Sequence, residues 1–180
     1  MNLVIRIEKQ SQRVVDLVGF YMSNLTLSYI SHGDIQLGRA LSIDEWSPHL
    51  DRLVGVEFRE AVTRKGRTRK GRRVVSALLD GKLVGLAVVF FHPVLPCRHT
   101  VLEDMVVDRS ERGKGIGSAL LAWVEREAAL SGAQYLFLES GIENKVAHEV
   151  FDHKGFTVVS KVMLKTLPGA PRAASRRGGQ

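Results

Sequence analysis

The sequence predicts a mixed α/β domain of the α+β kind, with a mostly antiparallel sheet that closes in a β-α-β unit. Three observations predict it. An Asp80-Gly81 pair stands between two apolar runs, 74–79 and 83–91, the pattern of a tight hairpin. A third run, 100–107, enters a glycine-rich turn and then an amphipathic stretch, 118–130. A further run, 134–138, follows that stretch, and strands joined through a helix pair in parallel.

The remaining elements follow in order. Residues 3–7 alternate weakly and read as a first strand, and 10–28 read as a helix. Residues 31–38 have loop chemistry. Ser42 with Glu45 three positions on has capping-box spacing, which predicts a helix carrying Leu50, Leu53, Val54 and Phe58 at helical intervals to about Val62. Residues 64–73 read as a solvated basic loop, and Pro93 and Pro96 mark another. In the 118–130 helix, Leu120, Leu121, Val124 and Ala128 share a face, and Ser131-Gly132 ends it. Residues 144–153 form a short helix closed by Gly155, and 156–164 read as a last strand. The expected organisation is one domain over residues 1–166, followed by a disordered basic tail from 167 to 180.

Composition narrows the function classes. The 180 residues carry a formal charge of +7, but seven cations lie within 64–73 and three arginines in the tail; without those ten the remainder carries −3. The excess therefore sits in two segments expected to be mobile, and neither interleaves aromatic residues for base stacking, so nucleic acid is not the expected partner. No apolar run has the ~20 residues a membrane span needs, and the first residues lack the pattern of a signal peptide. The single cysteine, Cys97, suits a reducing cytoplasm and a catalytic thiol is not expected there. His148 and His153, five apart, miss the spacing that puts two metal ligands on one helical face, and no metal is expected.

The chemistry concentrates in EDMVVDRSERGKGIGS, from Glu103 to Ser118. Gly113, Gly115 and Gly117 let a backbone approach a ligand closely, and a helix begins at once, offering unpaired N–H groups and a positive dipole end. Arg112 and Lys114 add charge to a pocket suited to a pyrophosphate. The spacing fits neither the nucleotide-hydrolase P-loop nor the dinucleotide fingerprint. It fits R-x-x-G-x-G at Arg112 to Gly117, which resembles the coenzyme A motif of the GNAT acetyltransferase superfamily. The central hairpin, the strands on either side of the motif helix, and NKVAHEVFDHKGF (144–156), which resembles the closing helix, stand in the same order.

The resemblance implies a fold in which the strand before the motif and the strand after its helix splay apart to admit the pantetheine arm. It implies acetyl-CoA as acyl donor, with backbone groups of Met105, Val106 and Val107 on the pantetheine amides. Backbone N–H groups of Arg112, Gly113, Lys114, Gly115, Ile116, Gly117 and Ser118 would hold the pyrophosphate, and Asn144 would contact the cofactor arm. The implied reaction moves an acetyl group to a primary amine of a small molecule by direct attack: a free alkylamine has a pKa near ~10.4 and must first lose a proton to a carboxylate or an ordered water. Small-amine members share a run like Leu102-Glu103-Asp104. Strand alternation sends Glu103 and Asp104 to opposite faces, so one alone can face the substrate; Glu103 is the favoured base and Asp104 its rival. Many members protonate the leaving thiolate with a tyrosine where this chain has Phe151; His148, Ser140 or a water are the substitutes, or the thiolate leaves without an enzyme acid. Trp46 is a candidate for the substrate groove. Phe151 also motivates the alternative of a non-catalytic acyl-CoA sensor. A homodimer is common among such proteins and is carried as analogy alone.

Overall fold

A computed structural model describes residues 2–63, 71–92 and 98–168. These fall into two compact units, one from residues 1–25 and 51–139, the other from 26–50 and 140–180.

The first unit is built on a five-stranded sheet: β1 (Leu3–Ile7), β4 (Gly71–Leu79), β5 (Lys82–His92), β6 (His99–Val107) and β7 (Tyr135–Leu138), side by side in that order. All neighbours are antiparallel except β6 and β7, which are parallel. The hairpin between β4 and β5 turns at Asp80 and Gly81, with φ of 47° and 86°. Both angles are left-handed, which matches the right-handed twist of the strands it joins.

Helices cover both sides of the sheet. Opposed residues of neighbouring strands share a face, so Ala77, Gly85 and Val107 lie on one side, where α4 (Ile116–Leu130) packs. Gly85 is the point of closest approach: a Cβ there would lie 2.8 Å from Leu120 Cδ1. On the other side lie Val74, Leu86 and Val88, with α1 (Val14–Asn24) and most of α3 (Leu50–Thr63). Tyr21 of α1 meets Phe58 of α3 edge-on, ring centroids 5.6 Å apart, and both rings are fully buried. At ~1.5–3 kcal/mol per buried large apolar side chain, Leu17, Val54 and Phe58 on one side and Leu120, Leu121 and Val124 on the other hold the layers together.

The second unit contains α2 (His32–Gln36), a small hairpin of β2 (Ala40–Ser42) and β3 (Glu45–Trp46), and α5 (Lys145–His153). Within it Gly141 passes so close to another segment that a Cβ would fall 2.4 Å from the Ile30 carbonyl oxygen.

Several expectations are corrected. Residues 31–38 hold a helix because Ser31 and Asp34 form a reciprocal capping box. Ser42 caps no helix: it belongs to β2, and its hydroxyl donates to Asp44. The first long helix ends at Asn24, after a 3₁₀ turn at Ser11–Arg13. Arg72 and Arg73 are strand residues rather than loop. Residues 156–164 form no strand. Their alternation marks a face to bury, but a strand is defined by its ladder, and the described sheet ends at β7. The loop residues 64–70, Pro93, Pro96 and Cys97, and the tail beyond residue 168 lie outside the described residues.

Candidate active site

The parallel ladder of β6 and β7 runs from His99 opposite Tyr135 to Leu102 opposite Leu138 and ends there, while β6 continues to Val107. The sheet thus forks after Leu102. Glu103 stands at the fork, and Met105, Val106 and Val107 line the arm beyond it.

A bulge lies at the same place. Val88 of β5 opposes Asp104 and Val89 opposes Leu102, leaving Glu103 as an extra residue on β6. This overturns the expectation that Glu103 and Asp104 point to opposite faces. Asp104 shares a face with Val88, hence by alternation with Phe90, and Phe90 opposes Arg72. Glu103 turns to that same face, where Arg72 holds it with two bonds, Nε to Oε2 at 2.6 Å and Nη2 to Oε1 at 2.9 Å. This planar fork fixes the carboxylate in orientation as well as position.

The two carboxylates differ in surroundings. Asp104 is 4% exposed and accepts the Tyr21 hydroxyl proton at 2.6 Å. Glu103 is part-exposed at the fork. Farther along the same face are two imidazoles, His92 and His99, stacked at 4.2 Å. Burial first, and His99 second, push the His92 pKa below the ordinary imidazole value, while the Glu103 charge pulls it the other way.

At the far end of β6 the chain makes a short 3₁₀ turn, Arg109–Glu111. Asp108 starts it, accepting from the Ser110 hydroxyl at 2.8 Å and from the Ser110 N–H at 2.9 Å. Those bonds, side-chain first, hold the Asp108 carboxyl below its ordinary range. Gly113 and Gly115 then take φ of 77° and 82°, and Gly115 is the N-cap of α4. A Cβ at either glycine would meet nothing within 4 Å, so the space beside both residues is open. The first N–H groups of α4, at Ile116, Gly117 and Ser118, have no acceptor within the helix by virtue of their position. An open, left-handed turn feeding a fifteen-residue helix fits a pyrophosphate.

The cations of the motif have other work in the fold. Arg112 donates through Nη2 to the Asn24 carbonyl at 3.0 Å and through Nε to the Val107 carbonyl at 3.2 Å. Arg109 donates to the Leu25 carbonyl at 2.9 Å. Both satisfy carbonyls at the end of α1 and so tie that helix to the turn. Lys114, largely exposed, pairs with Glu111 at 3.0 Å.

Asn144, Ser140, His148 and Phe151 belong to the second unit. Asn144 is the N-cap residue of α5 and makes no side-chain capping bond. Phe151 packs edge-on against Phe156, centroids 5.8 Å apart. The Ser140 hydroxyl is buried without a hydrogen-bond partner among the described residues. Trp46, in β3, also lies in this unit.

Three site residues escape a reading of the sequence. Arg72 is hidden in a charge run, and His92 and His99 become neighbours only through the β5–β6 register. The available signal was the period-two placement of rings at Phe90 and His92, and at Tyr135 and Phe137.

Comparison with known proteins agrees with this geometry. The chain is 33% identical over 84 residues to the aminoalkylphosphonate N-acetyltransferase of Salmonella typhimurium, a match covering 44% of this chain and 53% of that one. The match thus spans about half the length of that relative. Among solved structures, the aminoglycoside acetyltransferase AAC(6')-Iy, in complex with a bisubstrate analogue built on CoA, aligns with a TM-score of 0.66 at 19% identity, covering 93% of this chain and 99% of that one. The ribosomal-protein-alanine N-acetyltransferase of Brucella melitensis aligns with a TM-score of 0.62 at 14% identity, covering 92% and 100%. At these identities the structural likenesses establish the fold. Residues 39–156, more than half of the chain and inclusive of the fork, the bulge and the glycine turn, match the acetyltransferase (GNAT) family, and the chain belongs to that family.

Proposed function

We propose that this acetyltransferase moves an acetyl group from acetyl-CoA to a primary amine of a small molecule. The observation that carries the reading is the fork: a fixed carboxylate, Glu103, stands where β6 leaves β7, and an open glycine turn with a helix start lies at the other end of the same strand. Four residues of extended chain, about 13 Å, separate Glu103 from Val107.

Backbone groups of Met105, Val106 and Val107 hold the pantetheine amides as an added strand would. Backbone N–H groups from Arg112 through Ser118 hold the pyrophosphate. Asn144 is assigned to the cofactor arm on the strength of the family resemblance. When bound, acetyl-CoA supplies an activated thioester.

The chain's own part is to bring a neutral amine to that thioester. Glu103 accepts the ammonium proton, directly or through an ordered water, and Arg72 keeps its carboxylate aimed into the fork. Asp104 is assigned a supporting role: buried and bonded to Tyr21, it fixes α1 against the strand that carries Glu103. Phe151, packed on Phe156, has no proton to give, so the departing sulfur leaves as a thiolate or takes a proton from water; a thiol of pKa near ~8.5 is a tolerable leaving group.

The names of two relatives, an aminoalkylphosphonate N-acetyltransferase and an aminoglycoside N-acetyltransferase, support a small-molecule amine as acceptor. The test is thiol release from acetyl-CoA with a panel of amines, comparing the wild-type protein with Glu103→Gln. A loss of kcat by roughly 10²-fold or more, with acetyl-CoA affinity preserved by calorimetry, is expected. Unchanged kcat in the variant would remove Glu103 as the base. Tight acetyl-CoA binding without turnover of any amine would favour the second reading, a non-catalytic acyl-CoA sensor, which Phe151 motivates.

A further inference from the structure

On the face of the sheet that carries Glu103, five rings run in sequence across three strands. Phe90 lies against His92, centroids 4.1 Å apart. His92 stacks on His99 at 4.2 Å with the planes 16° apart. His99 meets Phe137 edge-on at 5.7 Å, and Phe137 neighbours Tyr135 at 6.2 Å.

The register explains the assembly. Phe90 opposes Val101, His92 opposes His99, and across the parallel ladder Tyr135 opposes His99 and Phe137 opposes Val101. The rings therefore surround Val101, two residues before Glu103. Helix α1 reaches this face farther along, at Asp104, through Tyr21. The ring shelf begins on the other side of the bulge.

The shelf is open. Tyr135 is 58% and Phe137 43% exposed, and Phe90, His92 and His99 are part-exposed. Cross-strand ring pairs stabilise a sheet, yet that role needs no exposed aromatic edge, and contiguous exposed apolar surface on a folded chain commonly marks a binding site.

The geometry points to this shelf as the acceptor subsite, taking a primary amine carried on an aryl or heteroaryl body by a short linker. The inference rests on the acetyltransferase reading above and names its acceptor class. The body of the acceptor lies on Phe90, His99 and Phe137, and its amino group reaches Glu103. Two residues along β6 span about 7 Å, which suits a linker of two to four carbons. Ring faces also attract the ammonium before it loses its proton. The rings are bordered by Glu103, already bridged to Arg72, and by Glu139 two residues beyond Phe137, so spermidine belongs in the test as the polycation the shelf is set against.

The experiment measures initial rates for 2-phenylethylamine, its saturated counterpart 2-cyclohexylethylamine, spermidine and 2-aminoethylphosphonate, with wild type, Phe137→Ala and Phe137→Leu. Wild type should prefer the aryl amine over its saturated counterpart by about tenfold in kcat/KM, and the alanine variant should lose that preference, chiefly through KM. The leucine variant, which keeps apolar bulk, should lose it too while melting near the wild-type temperature. Equal rates for the two amines, or a preference that survives both substitutions, would overturn the assignment. So would a dimer in sedimentation that Phe137→Ala dissociates, since the rings would then be covered by a second copy. If wild type acetylates no amine, the acetyltransferase reading fails separately, and the shelf is judged by binding. Shifts of the His92 and His99 ring resonances on adding 2-phenylethylamine would support it; their absence would sink it.

Discussion

Replacing Gly85 by alanine tests how firmly the cofactor turn is seated. A Cβ at this position would lie 2.8 Å from Leu120 Cδ1, 3.2 Å from Ile116 Cγ2 and 3.3 Å from Ala77 Cβ. Comfortable carbon contacts begin near ~3.5 Å, so the Leu120 contact alone demands a shift of about 0.7 Å. Leu120 is fully buried, so its side chain must be repacked within the core rather than swing into solvent. Leu120 must change rotamer inside the core or helix α4 must lift from β5, and the 3.2 Å and 3.3 Å contacts to Ile116 and Ala77 favour the lift. Overpacking of this kind costs about 1–3 kcal/mol. The loss of glycine's freedom in the unfolded chain returns about 0.4–1 kcal/mol. The net is about 1–2 kcal/mol of destabilisation, and for a chain of this size that lowers the melting temperature by about 2–8 °C. Ile116 is the first residue of α4, so the lift also displaces the glycine turn, and acetyl-CoA affinity should fall several-fold. Thermal melting and calorimetric titration with acetyl-CoA read the two effects. Gly19→Ala is the control: a Cβ there meets nothing within 4 Å in the exposed body of α1, and the variant should be more stable by up to about 1 kcal/mol. A Gly85→Ala protein that melts at the wild-type temperature and binds acetyl-CoA normally would show that α4 has slack against the sheet, and the reasoning fails.

Two further outcomes follow from the site. Tyr21→Phe removes the hydroxyl that donates to buried Asp104, and should cost about 1–3 kcal/mol in chemical denaturation; an unchanged midpoint would mean that Asp104 is satisfied without Tyr21. His92, whose pKa is lowered on folding, binds fewer protons folded than unfolded in the window below the ordinary imidazole value of about 6.5. Stability therefore rises with pH through that window and is lost as the solution is acidified. His92→Gln should flatten this part of the melting-temperature profile between about pH 5 and pH 7, and an unchanged slope would assign the acid sensitivity to other groups.

The local parts of this structure could be read from the chain because local rules decide them. Asp80-Gly81 requires two left-handed residues in a row and gets them. The glycines at 113 and 115 are left-handed where a ligand would press against the backbone. The failures share one cause, which is pairing between distant residues. Nothing near Glu103 announces a bulge, because the extra residue exists only relative to β5. Arg72 looks like one more cation in a basic run until β4 sets it opposite Phe90 and in reach of Glu103. Ser42 and Glu45 have the spacing of a helix start, yet they face each other across a hairpin. The ring shelf draws on positions 90, 92, 99, 135 and 137, and only the sheet makes them adjacent.

The bulge at Glu103 also separates what the scaffold needs from what the chemistry needs. Leu102 opposes Val89 and Asp104 opposes Val88, consecutive residues on β5. A version of β6 one residue shorter, lacking Glu103 alone, could pair with β5 without interruption. Leu102 and Asp104 would keep their partners and faces, and the Tyr21 bond would stand. The ladder would be more regular for the loss, and what would go is the carboxylate at the fork with its two bonds to Arg72. Glu103 is thus a supernumerary residue, one that the sheet accommodates at some expense to its own regularity and that the fold holds through its pair with Arg72 alone among the described side-chain bonds.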